Sequence, residues 1–184
     1  MLNLDLLQQA IDQLEQLIAR IPPAQASLRT PCPEWNVRQL VNHVVFDMHV
    51  FVAGIDGSER PAPNVDLIDD DWLAAYRRAG ASLADAWRKR GTEGTLKTSI
   101  GEFPLTWALG QHVSDLAVHA WDAARATSQP ISRLNDAVGR EALDWMRENL
   151  KPQFRGQAFG PEVPVPETAP LYDRLAGFSG RRVG

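Results

Sequence analysis

The stretch VSDLAVHAWD, residues 113–122, has the apolar character of a buried helix but carries ionisable side chains in its middle. Residues three or four apart share one face of a helix. Four side chains therefore form one line, which we call the polar stripe: His112, Asp115, His119 and Asp122. Because a buried carboxylate is costly unless it has a partner, such a line is unusual for a plain core helix. The stretch predicts a core helix with a functional polar face.

Apolar residues repeat at intervals of three and four along most of the chain, which predicts further helices. The predicted helices span the first 21 residues, Asn36 to about Asp56, a segment that starts at the Asp69–Asp71 cluster, Pro104 to about Thr127, Ser132 or Asn135 to Asn149, and Tyr172 to Phe178. The piece GTEGTLKTSIGEF could hold a short extended segment, too brief to found a sheet. We therefore predict an all-α fold, a four-helix bundle with an extra C-terminal helix and a Pro-rich tail. Residues 1–184 are expected to form one domain, with residues 150–184 packed on the bundle or trailing from it.

Composition excludes several classes of function. The 184 residues carry a formal net charge of −4, whereas proteins that bind nucleic acids usually present a concentrated basic face. The sequence has no run of about 18 apolar residues, and its first residues lack the basic and apolar regions of a signal peptide. Cys32 is the only cysteine, so an internal disulfide is impossible. We expect a cytoplasmic protein that binds neither nucleic acid nor membrane.

Asp115 and His119 have the spacing at which two side chains of one helix can bind one ion. His43, on the apolar face of the second predicted helix, is the best candidate for a third ligand. Simpler interpretations are a hydrogen-bonded core histidine for His43 and an intrahelical ion pair for Asp115 and His119. Two histidines and one carboxylate leave positions open, as in catalytic zinc and non-heme iron sites, and nickel and manganese also fit. Such an ion lowers the pKa of a bound water or thiol, and we expect His112 and Trp107 to line the adjoining pocket.

Three segments of the chain resemble one known family. They are TPCPEWNVRQLVNHVV (residues 30–45), SDLAVHAWDAARATSQP (residues 114–130) and AFGPEVPVPETAPLYDRLAGFSGR (residues 158–181). Together they are similar to an uncharacterised metal-binding family related to the N-terminal domain of mycothiol-dependent maleylpyruvate isomerase. The resemblance implies a DinB-like four-helix bundle. It also implies a metal held by a histidine of the second helix and an acid-x-x-x-His pair of a later helix, here His43, Asp115 and His119.

Two departures from the isomerase limit what the resemblance implies about chemistry. The acid of the isomerase's pair is a glutamate, whereas Asp115 is one methylene shorter. The isomerase also has a second domain that contributes an arginine to its active site, whereas this chain has only the short FGPEVPVP tail in that place. The sequence therefore does not assign maleylpyruvate as the substrate.

The resemblance favours a divalent-metal protein, with zinc as the first choice, whose open metal position binds a low-molecular-weight thiol such as mycothiol. The leading hypothesis is a thiol-dependent transferase or isomerase that acts on a small electrophile. An alternative is a non-catalytic stress-response or sensory binding module with a structural metal, and a third is a hydrogen-bonded polar cluster without metal. A homodimer is a candidate assembly because the first predicted helix has a leucine-rich face, although a core would explain the same face.

Overall fold

The computed structural model describes residues 3–98, 101–156 and 159–183. Within these ranges the chain forms six α-helices and one two-stranded hairpin. Their bounds are α1 Leu4–Ile18, α2 Val37–Asp56, α3 Trp72–Arg90, β1 Thr95–Thr98, β2 Gly101–Pro104, α4 Leu105–Ala126, α5 Asp136–Asn149 and α6 Leu171–Phe178. The prediction of a mainly all-α fold is confirmed.

The helices begin where the sequence signals place them. Asn36, the predicted start of α2, forms a capping box with Gln39: the Asn36 side chain accepts from Gln39 N at 2.9 Å, and the Gln39 side chain accepts from Asn36 N at 3.0 Å. The Asp71 side chain accepts from Ala74 N at 3.0 Å in the first turn of α3, and Asn135 caps α5. These side chains satisfy N–H groups that the first turn of a helix leaves without partners.

Helix α4 is the centre of the fold. It packs against α1, α2, α5 and α6, and most of its side chains are buried. Its buried alanines, among them Ala117, Ala120 and Ala124, allow the neighbouring helices to approach closely, whereas Trp121 fills a larger space. The polar stripe on α4 therefore lies inside the molecule.

The leucine-rich face of α1 is buried within the same chain. Leu7 and Leu14 are almost fully buried in the core. The hydroxyl of Tyr76 on α3 donates to the carbonyl of Ile11 at 2.9 Å, which fixes α3 against α1. Because this face is used inside the core, it does not argue for association, and a homodimer stays a prediction.

One region differs from the sequence-based expectation. The Gly- and Thr-rich segment forms the antiparallel pair β1 and β2, in which Leu96 is opposite Phe103; residues 99–100 at its turn lie outside the described ranges. Phe103 stacks on Trp107 of α4, with ring centroids 4.2 Å apart. An isolated two-stranded hairpin is only marginally stable, so this packing on the bundle explains why so short a segment can form strands.

The C-terminal tail packs on the bundle. Helix α6 contacts α4 and α5. Asp173 of α6 accepts from Trp121 Nε1 at 2.8 Å and pairs with Arg125 at 2.7 Å, both on α4. Arg155 Nη1 donates to the carbonyls of Gly160 and Phe178, each at 2.8 Å, which ties the chain before α6 to its end. No helix within the described ranges is long and apolar enough to cross a membrane.

Gly177 of α6 is required for this packing, because an added Cβ would lie 2.3 Å from Val165 Cγ2 and 2.7 Å from the carbonyl oxygen of Val163. We expect Gly177→Ala to lower the free energy of unfolding by about 1–3 kcal/mol, measured by urea denaturation. Gly54→Ala in α2 is the matched control, since no atom beyond its chain neighbours and the adjacent helix backbone lies within 4 Å of the added Cβ. It should leave stability unchanged or raise it by up to about 1 kcal/mol. Equal effects of the two changes would contradict the packing argument.

Candidate functional site

His43 of α2 and His119 of α4 meet across a cavity of about 260 Å³. Their ring centroids are 5.1 Å apart and the rings are nearly perpendicular. The cavity is lined by Cys32, Glu34, Trp35, His43, Asp47, Asp115, His119, Phe159 and Arg181. Trp35 stacks on the His43 ring at 3.8 Å and holds that ring in place. The structure thus brings together His43, Asp115 and His119, the three residues that the sequence proposed as one site.

Each histidine is paired with a carboxylate four residues away on its own helix. His43 Nε2 is 3.1 Å from Asp47 Oδ2, and His119 Nε2 is 3.6 Å from Asp115 Oδ1. The second distance is too long for a hydrogen bond, so Asp115 and His119 face each other without a close contact. The His119 side chain is only 4% exposed, whereas His43 is 24% exposed and forms the more open side of the site.

The carboxylates of Asp47 and Asp115 both have raised pKa values. Burial and the nearby Asp115 raise the pKa of Asp47 to about 8, and burial also raises the pKa of Asp115. Burial, with the adjacent His119, lowers the pKa of His43 to about 3. Burial alone would lower the pKa of His119, but the charges of Asp115 and Asp122 outweigh it and the pKa is raised. Two partly buried carboxylates that resist simultaneous ionisation form an environment that favours a bound cation.

A second layer of side chains lies behind His119. Its Nδ1 is 3.1 Å from Oδ2 of Asp122, which is fully buried. Arg181, near the end of the chain, donates to the same carboxylate from Nη2 at 3.2 Å and from Nε at 3.4 Å. With an ionised Asp122 as acceptor, His119 Nδ1 carries the hydrogen and the Nε2 lone pair faces the cavity.

The sequence did not single out two residues of this site, Asp47 and Arg181. Asp47 follows His43 by four residues, the same spacing that singled out Asp115 and His119, so its signal was present. Arg181 lies in the tail and has no local pattern that links it to α4. It contacts Asp122, whereas Arg125, one turn after Asp122 on α4, pairs with Asp173. The tail therefore does supply an arginine to the cavity wall.

The two residues expected to line the pocket, His112 and Trp107, do not line this cavity. His112 is buried, accepts from Trp87 Nε1 at 2.9 Å, and stacks on Phe51 with centroids 3.6 Å apart. Trp107 packs between Phe103 and Trp145. The position of His112 on α4 directs its ring toward α3. Two other members of the polar stripe, Asp115 and His119, line the cavity.

The donor atoms around the cavity fit a divalent ion in kind but are not assembled as ligands. Within residues 3–98, 101–156 and 159–183, no group of three or more His, Cys, Asp and Glu side chains has the arrangement of a metal site. In a tetrahedral site with metal–ligand bonds of about 2.0–2.1 Å, two ligand atoms lie about 3.3 Å apart. The two measured His–carboxylate distances, 3.1 and 3.6 Å, lie on either side of this value. Side-chain movement between the two pairs would be needed to gather them around one ion.

Comparison with known proteins identifies the family. The sequence model of one family, the mycothiol maleylpyruvate isomerase N-terminal domain, matches residues 7–124, which is more than half of the chain. The chain belongs to this family. Two uncharacterized proteins of Mycobacterium tuberculosis, from strains CDC 1551 / Oshkosh and H37Rv, are each 33% identical over 183 residues, which cover 96% of this chain and 96% of theirs. The relationship that the sequence motifs indicated is confirmed.

Solved structures of the isomerase share the fold of this family member. Mycothiol-dependent maleylpyruvate isomerase superposes with a TM-score of 0.57 at 16% identity, and a mutant of it with a TM-score of 0.59 at 15% identity. Both matches cover 75% of this chain and 65% of the isomerase chain, so about a third of the isomerase lies outside the comparison. At these identities the likeness shows the fold alone.

The burial of His112 has a consequence for stability against pH. Burial lowers its pKa to about 3, whereas the unfolded chain has an ordinary histidine that protonates below about pH 6.5. The unfolded state therefore binds more protons between these values, and stability falls as the pH falls. This one group should contribute a loss of about 2 kcal/mol between pH 7 and pH 5. His112→Gln should flatten the decline measured by urea denaturation at the two pH values.

Trp87→Phe is the control for that experiment. It removes the Nε1 donor but leaves His112 buried, so it should lower stability at both pH values while keeping the steep dependence. A decline in His112→Gln as steep as in the unaltered protein would contradict the assignment.

Proposed function

We propose that this protein binds a divalent metal, zinc in the first place, and uses it to activate a low-molecular-weight thiol of the mycothiol type for attack on a small electrophile. The observation that carries the proposal is the pairing of two histidines and two carboxylates across one cavity, with His119 oriented from behind by Asp122. Membership in the mycothiol maleylpyruvate isomerase family supports the choice of thiol. Iron, nickel and manganese accept the same donors and are the competing ions.

Three side chains would hold the ion: His43 and His119 through Nε2, and Asp115 through its carboxylate. At present Nε2 of His43 faces Asp47 and Nε2 of His119 faces Asp115. In the proposed site both Nε2 atoms would instead face the ion. A divalent ion held by these side chains would supply the positive charge that lowers the pKa of a thiol. A bound cation would favour the ionised form of Asp47, beside His43 and the cavity, and this carboxylate would then accept a proton or a hydrogen bond from the incoming thiol. Trp35 and Phe159 supply apolar walls that limit water around the reacting sulfur.

The nucleophilic sulfur would come from the bound thiol. Cys32 lines the cavity, but burial raises the pKa of its thiol, so this side chain is a poor source of thiolate. A cavity of about 260 Å³ can accept the reactive end of a thiol, and its more exposed side, at His43, provides an approach for the electrophile. A thiol-dependent transferase or isomerase is the reaction class that uses these features.

One observation favours the alternative, a non-catalytic stress-response or sensory binding module with a structural metal. Asp47 lies where it could supply a fourth protein ligand, and four protein ligands are typical of structural zinc sites. If Asp47 is a ligand, Asp47→Asn should weaken metal binding at least about tenfold. If the coordination is open, Asp47→Asn should retain the metal and lose thiol activity.

The ligand set is tested by metal analysis. Untagged protein loaded with Zn²⁺ and separated from excess ion should retain about one ion per chain, and His119→Ala should retain none, as measured by inductively coupled plasma mass spectrometry. His112→Gln is the matched control on the same helix, because His112 points toward α3 and should not affect binding. Retention of the ion by His119→Ala would overturn the ligand set. Absence of binding in the unaltered protein would favour the metal-free polar cluster.

The reaction class is tested with zinc-loaded protein, mycothiol or another small thiol, and a panel of small electrophiles. We expect consumption of substrate or isomerisation well above the rate without protein, and loss of that activity to background in His43→Ala and in metal-depleted protein. Leu28→Ala is a control for general damage, since Leu28 is an exposed side chain that does not line the cavity. Metal binding without turnover for any thiol would leave the structural-metal module as the better interpretation.

A further inference from the structure

The C-terminal segment contributes the buried guanidinium of Arg181 to the back of the site. Arg181 is only 7% exposed, and its Nε and Nη2 reach the two carboxylate oxygens of Asp122. Its Nη1 donates to the carbonyl of Ser179 at 3.3 Å. Asp122 in turn faces His119 Nδ1 at 3.1 Å. A continuous chain of polar contacts therefore runs from the end of the protein, through α4, to the ring that faces the cavity.

The contacts from Arg181 to Asp122 to His119 determine which ring nitrogen of His119 carries the hydrogen. Asp122 is fully buried, and a buried carboxylate stays ionised only when a cation or several donors balance it. An ionised Asp122 accepts the hydrogen of Nδ1, which directs the lone pair of Nε2 into the cavity. A carboxylate behind a histidine in this way fixes the tautomer and orientation of a metal-binding ring.

The backbone of the segment is shaped to hold Arg181 in this position. Gly180 has a φ of +93°, and a Cβ added there would lie 2.8 Å from backbone atoms of Gly160. Arg181 N donates to the carbonyl of Ala176 at 2.9 Å, which closes the end of α6. Arg155 clamps the carbonyls of Gly160 and Phe178. The close contact between Gly160 and Gly180 therefore holds the backbone next to Arg181 against the segment that precedes α6.

We propose that Arg181 is a positioning residue that, through Asp122, selects the Nδ1–H tautomer of His119 and so prepares Nε2 to bind a ligand in the cavity. The proposal rests on the proposed function for the identity of that ligand, a divalent ion. The tautomer itself is a property of the metal-free protein. It can therefore be tested whether or not the metal hypothesis holds.

The first measurement is the tautomer of His119 in metal-free protein, read from the ¹⁵N chemical shifts of the two ring nitrogens above the pH at which the ring protonates. The unaltered protein should show the Nδ1–H pattern. Asp122→Asn and Arg181→Gln should both shift the pattern toward Nε2–H. Arg181→Lys keeps a positive charge without the two-donor contact, so it should give an intermediate pattern and also serves if Arg181→Gln does not fold.

The second measurement is the affinity for Zn²⁺ by competition with a chelator. Arg181→Gln and Asp122→Asn should each weaken binding by about 10- to 100-fold, the range found for changes behind metal-binding histidines. Because Arg181 acts through Asp122, the double variant should bind no more weakly than Asp122→Asn alone.

Arg125→Gln is the matched control. Arg125 also joins α4 to the C-terminal segment, through its 2.7 Å pair with Asp173, but forms no hydrogen bond or ion pair with Asp122 or His119. It should lower thermal stability and leave both the tautomer and the affinity unchanged. An unchanged tautomer in Arg181→Gln, additive losses in the double variant, or equal losses in Arg125→Gln would each overturn the positioning role. If the unaltered protein binds no Zn²⁺, the proposed function fails and the tautomer measurement alone decides this inference.

Discussion

The carboxylate of Asp122 is the constraint on which the site depends. It is fully buried in the most central helix, and an unpaired charge there would destabilise the fold strongly. Two partners compensate it, the His119 ring from the same helix and the Arg181 guanidinium from the tail. One buried charge therefore links the placement of the His119 ring to the packing of the C-terminal segment.

On the cavity side of His119, two carboxylates, Asp47 and Asp115, lie beside the two histidines. Asp47 and Asp115 raise the cost of each other's ionisation, and each lies next to a ring nitrogen that a cation could use. A polar cluster of this kind contributes less to stability than an apolar core would. Its presence at the junction of α2 and α4 is explained more readily by binding than by folding.

The family match ends before the C-terminal segment. The isomerase N-terminal domain model covers residues 7–124, which include both histidines and the carboxylates around them, but Arg181 lies outside it. The two mycobacterial relatives match over 96% of this chain, so their similarity extends along the tail. The tail is thus shared with these relatives, and in this protein its Arg181 forms part of the cavity wall.

The sequence by itself determined the helices, the buried character of α4 and the pairing of Asp115 with His119, because these follow from spacings within one or two turns. His43 was proposed as the third member from its place on the apolar face of α2 and from the family resemblance. Asp47 could have been found from the same spacing. Only the tertiary structure decided that Arg181 approaches Asp122 from 59 residues further along the chain, and that His112 turns toward Trp87 and away from the cavity. Helical periodicity defines which side chains share a face. Which neighbour that face meets depends on the packing of distant segments, and local sequence carries no record of it.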